Sequence, residues 1–184
     1  MSLQDPYASL WVYLDIEHTD RVLQLRDILA HAINTSEFIL EDDPHITLHR
    51  GFQVQISEIS QFRTIISDSD LVGRSITITG VKFWPSINTP HVVMLDIDID
   101  LEPTKSELEQ VISYHGGAAF HDPVPPHITL FRADLRSTSE LPDLSEQACD
   151  KLFAIQNALQ FPWQTEITDI TLGVYDLPRP DGRL

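Results

Sequence analysis

The sequence predicts an α+β fold built as two similar lobes. Each lobe is an antiparallel sheet with flanking helices, and the two are related by a pseudo-twofold axis with a cleft between them. Three observations carry this. Pro44-His45-Ile46-Thr47-Leu48-His49-Arg50 and Pro126-His127-Ile128-Thr129-Leu130-Phe131-Arg132 agree at six of seven positions, 82 residues apart. Leu14-Asp15-Ile16 recurs as Leu95-Asp96-Ile97 at an offset of 81. The order strand, helix, strand, helix, strand is met twice, as an internal duplication requires. The expected organisation is one bilobal domain over 1–184, with halves at 8–84 and 91–176 and a loose tail at 177–184.

The first strand is read at Ser9 to Ile16, where Leu10, Val12, Leu14 and Ile16 share one face and Trp11, Tyr13 and Asp15 the other. Thr19 is a candidate N-cap for a helix whose apolar stripe is Val22, Leu25, Ile28, Leu29, Ala32 and Ile33. After the acidic stretch Glu41-Asp42-Asp43-Pro44, the β-branched run His45 to Arg50 reads as a strand. A helix is expected around Ile56 to Ile66. A strand follows at Arg74 to Trp84, with Ile76 and Ile78 inward and Ser75, Thr77 and Thr79 outward. The second half gives a strand at His91 to Asp100, a helix from Pro103 to His115 stopped by Gly116-Gly117, and a strand at His127 to Arg132. A helix at Leu144 to Leu159 and a strand at Glu166 to Tyr175 complete it.

Composition narrows the function. Twenty-eight acidic against 12 basic residues give a formal charge of −16, a field that repels long polyanions and disfavours non-specific contact with RNA or DNA. A nucleic-acid-like substrate is therefore expected to be small, or held in a locally basic cleft. The single cysteine, Cys149, allows no internal disulfide and makes a thiolate zinc site a poor expectation. No signal-peptide pattern opens the chain and no apolar run approaches the ~20 residues needed to span a bilayer. A cytoplasmic monomer without membrane contact is expected.

In a strand, residues i and i+2 share a face, so His45, Thr47 and His49 point together, away from Ile46 and Leu48. His127 and Thr129 do the same in the second copy. If a twofold axis brings the two His-x-Thr faces together, one neutral imidazole can take a proton while the other, protonated, gives one to a leaving oxygen. The hydroxyls and imidazole N–H groups can hold the non-bridging oxygens of a phosphate diester, where charge collects in the transition state. One His-x-Thr in a strand would mean little. Two copies in the same context are harder to explain by packing, which would preserve Ile and Leu without preserving the polar face.

Two His-x-Thr motifs in two such halves resemble the 2H phosphoesterase superfamily, which includes RNA 2′,3′-cyclic phosphodiesterases, also called 2′-5′ RNA ligases. The resemblance extends from Leu10 to Tyr175 and takes in Gly80-Val81-Lys82-Phe83. It implies a metal-independent bilobal enzyme without cofactor. His45, Thr47, His127 and Thr129 would be its catalytic set, opening a nucleoside or oligonucleotide 2′,3′-cyclic phosphate to a 2′-phosphate. The symmetric pair does not say which histidine is base and which acid. The same set would serve for 2′-5′-linked or cyclic oligonucleotides. The competing class is a nucleotide-binding module without catalysis.

Trp11 and Tyr13 are candidates for stacking on a base; the alternative is aromatics packed under a loop. Trp84, Phe131 and His49 are further candidate substrate contacts. Met94 takes the place of Tyr13 in the second half, so base recognition is expected on one side only. Alternation puts Arg50 and Arg132 on the Ile/Leu side of their strands, and they are read as strand-end ion pairs. No metal site is expected: His-Glu-x-x-His is absent, and the repeated motif keeps His with Thr rather than with a carboxylate.

Overall fold

The structure is a computed structural model that describes residues 7–33, 35–110, 125–135 and 140–176. Among the described residues, seven strands and four helices follow one another as β1 (Tyr7–Ile16), α1 (Thr19–Ala30), β2 (Phe38–Leu40), β3 (His45–Gln55), α2 (Ile59–Asp68) and β4 (Ser75–Trp84), then β5 (Val92–Asp98), α3 (Glu102–Gln110), β6 (His127–Ala133), α4 (Glu146–Ala158) and β7 (Trp163–Asp176). All strand pairs are antiparallel, in the order β2-β6-β3-β1-β7-β4-β5, and β6 also pairs with β5. The expected α+β architecture is present. Its two sheets are arms of one ladder that returns on itself, with β2 hanging from β6. One junction is a single residue pair, Ile46 with Ile128, and the other joins Ser75–Ile78 of β4 to Trp163–Glu166 of β7.

The arms do not coincide with the sequence halves. The last strand of the first half, β4, pairs with β5, the first strand of the second half, and β7 pairs back onto β1. Each arm thus borrows its third strand from the other half.

The alternation of β1 is realised as read: Leu10, Val12 and Leu14 are fully buried and Ile16 nearly so, with Trp11, Tyr13 and Asp15 half-buried on the reverse face. On β4, Ile76 and Ile78 are buried, and a register shift before Gly80 moves the next buried position to Val81. Helix α1 buries Val22, Leu25 and Leu29, but Ile28 of the expected stripe is 52% exposed.

Several boundaries depart from the expectations. Thr19 begins α1 rather than capping it. The preceding residue, His18, takes a left-handed conformation at φ 59° and offers no side-chain cap. Strand β3 runs five residues past Arg50, because pairing with β1 carries it through Gly51. β2 is too short for periodicity to reveal. The helix expected at Ile56 to Ile66 opens with a 3₁₀ turn at Ile56–Glu58 before α2. Helix α4 is capped by Ser145, whose Oγ accepts from the Ala148 N–H at 3.3 Å. The expected helix end at 111–115, the Gly116-Gly117 stop and the tail at 177–184 lie outside the described residues.

Candidate active site

The two repeated motifs are neighbours. Ile46 of β3 faces Ile128 of β6 in an antiparallel pair, both wholly buried. Continuing that register one residue each way sets His45 beside Thr129 and Thr47 beside His127. Because side chains alternate, all four lie on one face, and all four are half-buried. One strand spacing across and two residues along puts the two histidine backbones about 8 Å apart.

The rest of the ladder repeats itself around them. Tyr13, Leu14 and Asp15 of β1 pair with Thr47, Ile46 and His45. Met94, Leu95 and Asp96 of β5 pair with Thr129, Ile128 and His127. Each histidine therefore has a carboxylate directly across from it on the outer strand, a pairing that brings Cβ atoms to about 5 Å. Both carboxylates are tethered from behind. Thr171 Oγ1 donates to Asp15 Oδ2 at 2.7 Å. Thr79 Oγ1 donates to Asp96 Oδ2 at 3.0 Å, and Lys82 Nζ lies 2.7 Å from Asp96 Oδ1.

The imidazoles are oriented alike. His45 Nδ1 lies 2.7 Å from the Asp43 carbonyl oxygen, and His127 Nδ1 lies 2.8 Å from that of Pro125. A carbonyl can only accept, so Nδ1 carries the proton in both rings and Nε2 is the nitrogen that exchanges one. The turn supplying Asp43 is held from α1. Arg26 Nη1 donates to the Glu41 carbonyl at 2.6 Å and to Asp42 Oδ1 at 2.7 Å, and its Nη2 sits 2.7 Å from Asp27 Oδ1. Burial opposes the charge of Arg26, but its bonds to Asp27 and Asp42 outweigh that and hold the guanidinium above its usual range.

Tyr13 packs edge-on to the His45 ring at 4.3 Å between centroids, and Trp11 stacks with Tyr13 at 6.0 Å. These two expected contacts thus line the face beside His45. Met94, in Tyr13's place, is 2% exposed and offers little surface there.

Two expected contacts are not on this face, for a shared reason. The ladder slips by one residue between Val12 and Tyr13, so that β3 passes from Thr47 to His49 while β1 advances once. The same slip occurs between Val93 and Met94, so that β6 passes from Thr129 to Phe131. In each copy the motif leucine, Leu48 or Leu130, is the additional residue of a bulge, which reverses the facing of the residue that follows it, His49 or Phe131. Phe131 is accordingly fully buried, packed edge-on against Phe38 at 5.4 Å, and takes no part in a cleft. His49 is 9% exposed, with Nε2 3.7 Å from Glu109 Oε1 on α3. Arg132, expected on the inner side, is exposed instead.

Asp15, Asp96, Lys82, Thr171 and Arg26 were not picked out from the sequence as site residues. The signal for the first two was present in the recurring Leu-Asp-Ile, which marks a strand and, through register, also marks each histidine's neighbour.

No known family pattern matches the chain, and no curated protein matches it by sequence. Solved structures do match it in shape. E. coli LigT complexed with ATP superimposes with a TM-score of 0.52 at 17% identity, covering 96% of this chain and 92% of that one. TT0787 of Thermus thermophilus gives 0.57 at 14% identity, covering 89% and 86%. Kluyveromyces marxianus Usb1 gives 0.50 at 10% identity, covering 94% and 99%. LigT has also been solved with NADP+, with 3′-AMP and with phosphate. The chain therefore shares the fold of LigT, TT0787 and Usb1. No helix among the described residues is long and apolar enough to cross a membrane.

Proposed function

We propose that this chain is a 2H-type phosphodiesterase that opens nucleoside or oligonucleotide 2′,3′-cyclic phosphates to 2′-phosphates, using His45 and His127 as its acid–base pair. The observation that supports this best is the matched orientation of the two rings: each donates Nδ1–H to the carbonyl two residues before it and presents Nε2 to a common face. Similarity of fold to LigT, a protein solved with ATP and with 3′-AMP, supports a nucleotide ligand.

In this mechanism the phosphate lies across the Ile46–Ile128 rung. One Nε2 takes a proton from a water as its oxygen attacks phosphorus. The other gives a proton to the ribose 3′ oxygen as the P–O3′ bond breaks, leaving the 2′-phosphate. Thr47 and Thr129 donate hydroxyls to the non-bridging oxygens as charge builds on them. No step calls on a metal or cofactor. The same set would cleave 2′-5′-linked or cyclic oligonucleotides, and the products distinguish these cases.

The test is hydrolysis of the four nucleoside 2′,3′-cyclic monophosphates in EDTA, with 2′- and 3′-phosphates resolved. Turnover to the 2′-phosphate is expected, reduced about 10²–10⁴-fold by His45→Ala or by His127→Ala. Activity unchanged in either variant refutes the mechanism. Binding without turnover would make the chain a nucleotide-binding module.

A further inference from the structure

The reverse side of the sheet carries a groove that two-histidine chemistry does not use. Trp163 opens β7 and pairs with Ile78 of β4, whose side chain points into the core, so its ring lies on the face opposite the histidines. Alternation keeps Trp163, Thr165 and Ile167 buried there. The ring stands at the rim of that core, where α1 passes the segment joining α4 to β7. Between them is a groove of about 180 Å³.

The walls of the groove are apolar. Leu25 of α1 is buried at its floor, and Ile28, one turn on, is the residue of the expected stripe left 52% exposed. Leu159 and Phe161, both half-buried, close the other side. Phe161 stacks with Trp163 at 6.4 Å between centroids, the rings 23° from parallel.

The polar groups at the mouth favour an anion. Arg21 sets its guanidinium carbon 4.1 Å from the centroid of the Trp163 ring. Such a contact holds the charge without using a hydrogen-bond donor, so the N–H groups of the fork remain for acceptors. Arg26, on the same helix, places its donors on Asp42 and the Glu41 carbonyl. Among the described residues Arg21 has no such acceptor. Gln24, one turn from Arg21, and Gln160 add amides, and no carboxylate lines the groove. Asp20 and His18 belong to the neighbouring, wider opening. With a net charge of −16 the chain repels anions over most of its surface, and this groove is a place where one gains a partner.

Size limits the occupant. An apolar cavity of about 150 Å³ holds benzene. The groove, at about 180 Å³, thus admits one ring with a short acidic arm and is too small for base, ribose and phosphate together.

We propose that this groove is a second binding site, for a small aromatic carboxylate. The ring lies between Phe161, Leu159 and Ile28, and the carboxylate takes two parallel bonds from Arg21, with Gln24 beside it. The site goes beyond the diesterase reading and does not depend on it.

The test titrates the full chain, labelled with ¹⁵N, with phenylacetate and follows the indole N–H signals by NMR. The three tryptophans report on separate places: Trp11 stacks with Tyr13 beside His45, Trp84 is 37% exposed against the His91 ring, and Trp163 lies in the groove. Trp11→Phe and Trp84→Phe assign two signals and leave the third to Trp163. The Trp163 signal is expected to shift with a Kd of about 1 mM or tighter, the range of a small ligand of ordinary efficiency, while the other two stay in place. Phenylacetamide, of the same shape without the charge, should bind about 10- to 100-fold more weakly. Arg21→Gln should cause a similar loss for phenylacetate, and Arg21→Lys a smaller one, since an ammonium lacks the planar fork. Ile28→Glu should abolish binding by setting a like charge beside the carboxylate. Arg21 and Ile28 are exposed, so these variants should keep the thermal unfolding midpoint of the parent. No shift at Trp163, equal affinity for phenylacetate and phenylacetamide, or binding that survives Arg21→Gln overturns the proposal. A Trp163 signal moved by AMP and not by phenylacetate overturns it too and makes the groove a nucleotide site. Hydrolysis plays no part in the readout, so failure here and failure of the diesterase reading are separate results.

Discussion

Replacing Phe131 by alanine separates a core residue from a substrate contact. The ring is fully buried and set edge-on against Phe38 at 5.4 Å, on the strand that also carries His127. Truncating a buried phenylalanine costs about 3–5 kcal/mol in lost transfer energy and residual cavity. Within that loss, the edge-to-face pair accounts for about 0.5–1.5 kcal/mol. With a urea slope of about 2 kcal/mol/M, a loss of about 4 kcal/mol moves the unfolding midpoint down by about 2 M. Tryptophan fluorescence through a urea titration reads this directly. Phe38→Ala and the double variant close a thermodynamic cycle, in which a coupling of about 0.5–1.5 kcal/mol is expected. A Phe131→Ala protein whose midpoint moves by less than about 0.5 M would refute the bulge at Leu130 as the determinant of where this ring points.

Other outcomes are equally open to measurement. Arg26→Ala removes the bonds to the Glu41 carbonyl and to Asp42, so a stability loss of about 2 kcal/mol is expected in thermal unfolding. Because that turn precedes Asp43, whose carbonyl orients His45, kcat for cyclic phosphate hydrolysis should fall about 10-fold or more while KM changes less. Burial, then Asp150 and Asp143, push the Cys149 thiol up, so an aromatic disulfide reagent should modify it only in denaturant. A raised thiol pKa stabilises the fold below the unfolded thiol's range. Stability should therefore be lost as pH climbs from about 8.5 through the folded value, and Cys149→Ser should flatten that slope. Gly73 turns into β4 at φ 83°, where an added Cβ would come no nearer than 4.0 Å to Glu166 Oε1, so Gly73→Ala should cost about 1–2 kcal/mol in backbone strain alone.

What the sequence disclosed and what it hid divide along physical lines. Elements with a long period were legible: β1, α1, β4 and β7 present an apolar set on one face, and burial of that set requires the element. The motif pair was legible because two copies of an uncommon polar face need a shared cause. The bulges at Leu48 and Leu130 were not, since neither carries a glycine or a break in apolar character, and strict alternation then misplaced His49, Phe131 and Arg132 together. The crossing of β4 and β7 between halves was hidden because strand pairing is a long-range choice that no local pattern encodes. Asp15 and Asp96 stood in plain view as a repeat, but their relation to the histidines exists only in register. Lys82 acquires its relation to the motif face the same way, through β5.

The ladder that closes on itself has a mechanical consequence. Two lobes joined by a linker can open and shut like a jaw, and their gap then adapts to whatever enters. Here the gap is a gauge: the histidines sit on adjacent strands, and widening it means breaking main-chain bonds at the Ile46–Ile128 rung or at the β4–β7 seam. A cut in the loop between β4 and β5 would not release two independent halves, because each fragment would leave holding a strand that completes the other. Such a molecule measures its ligand by fit against a set width, and variation among its relatives would have to be written in the side chains along the rim.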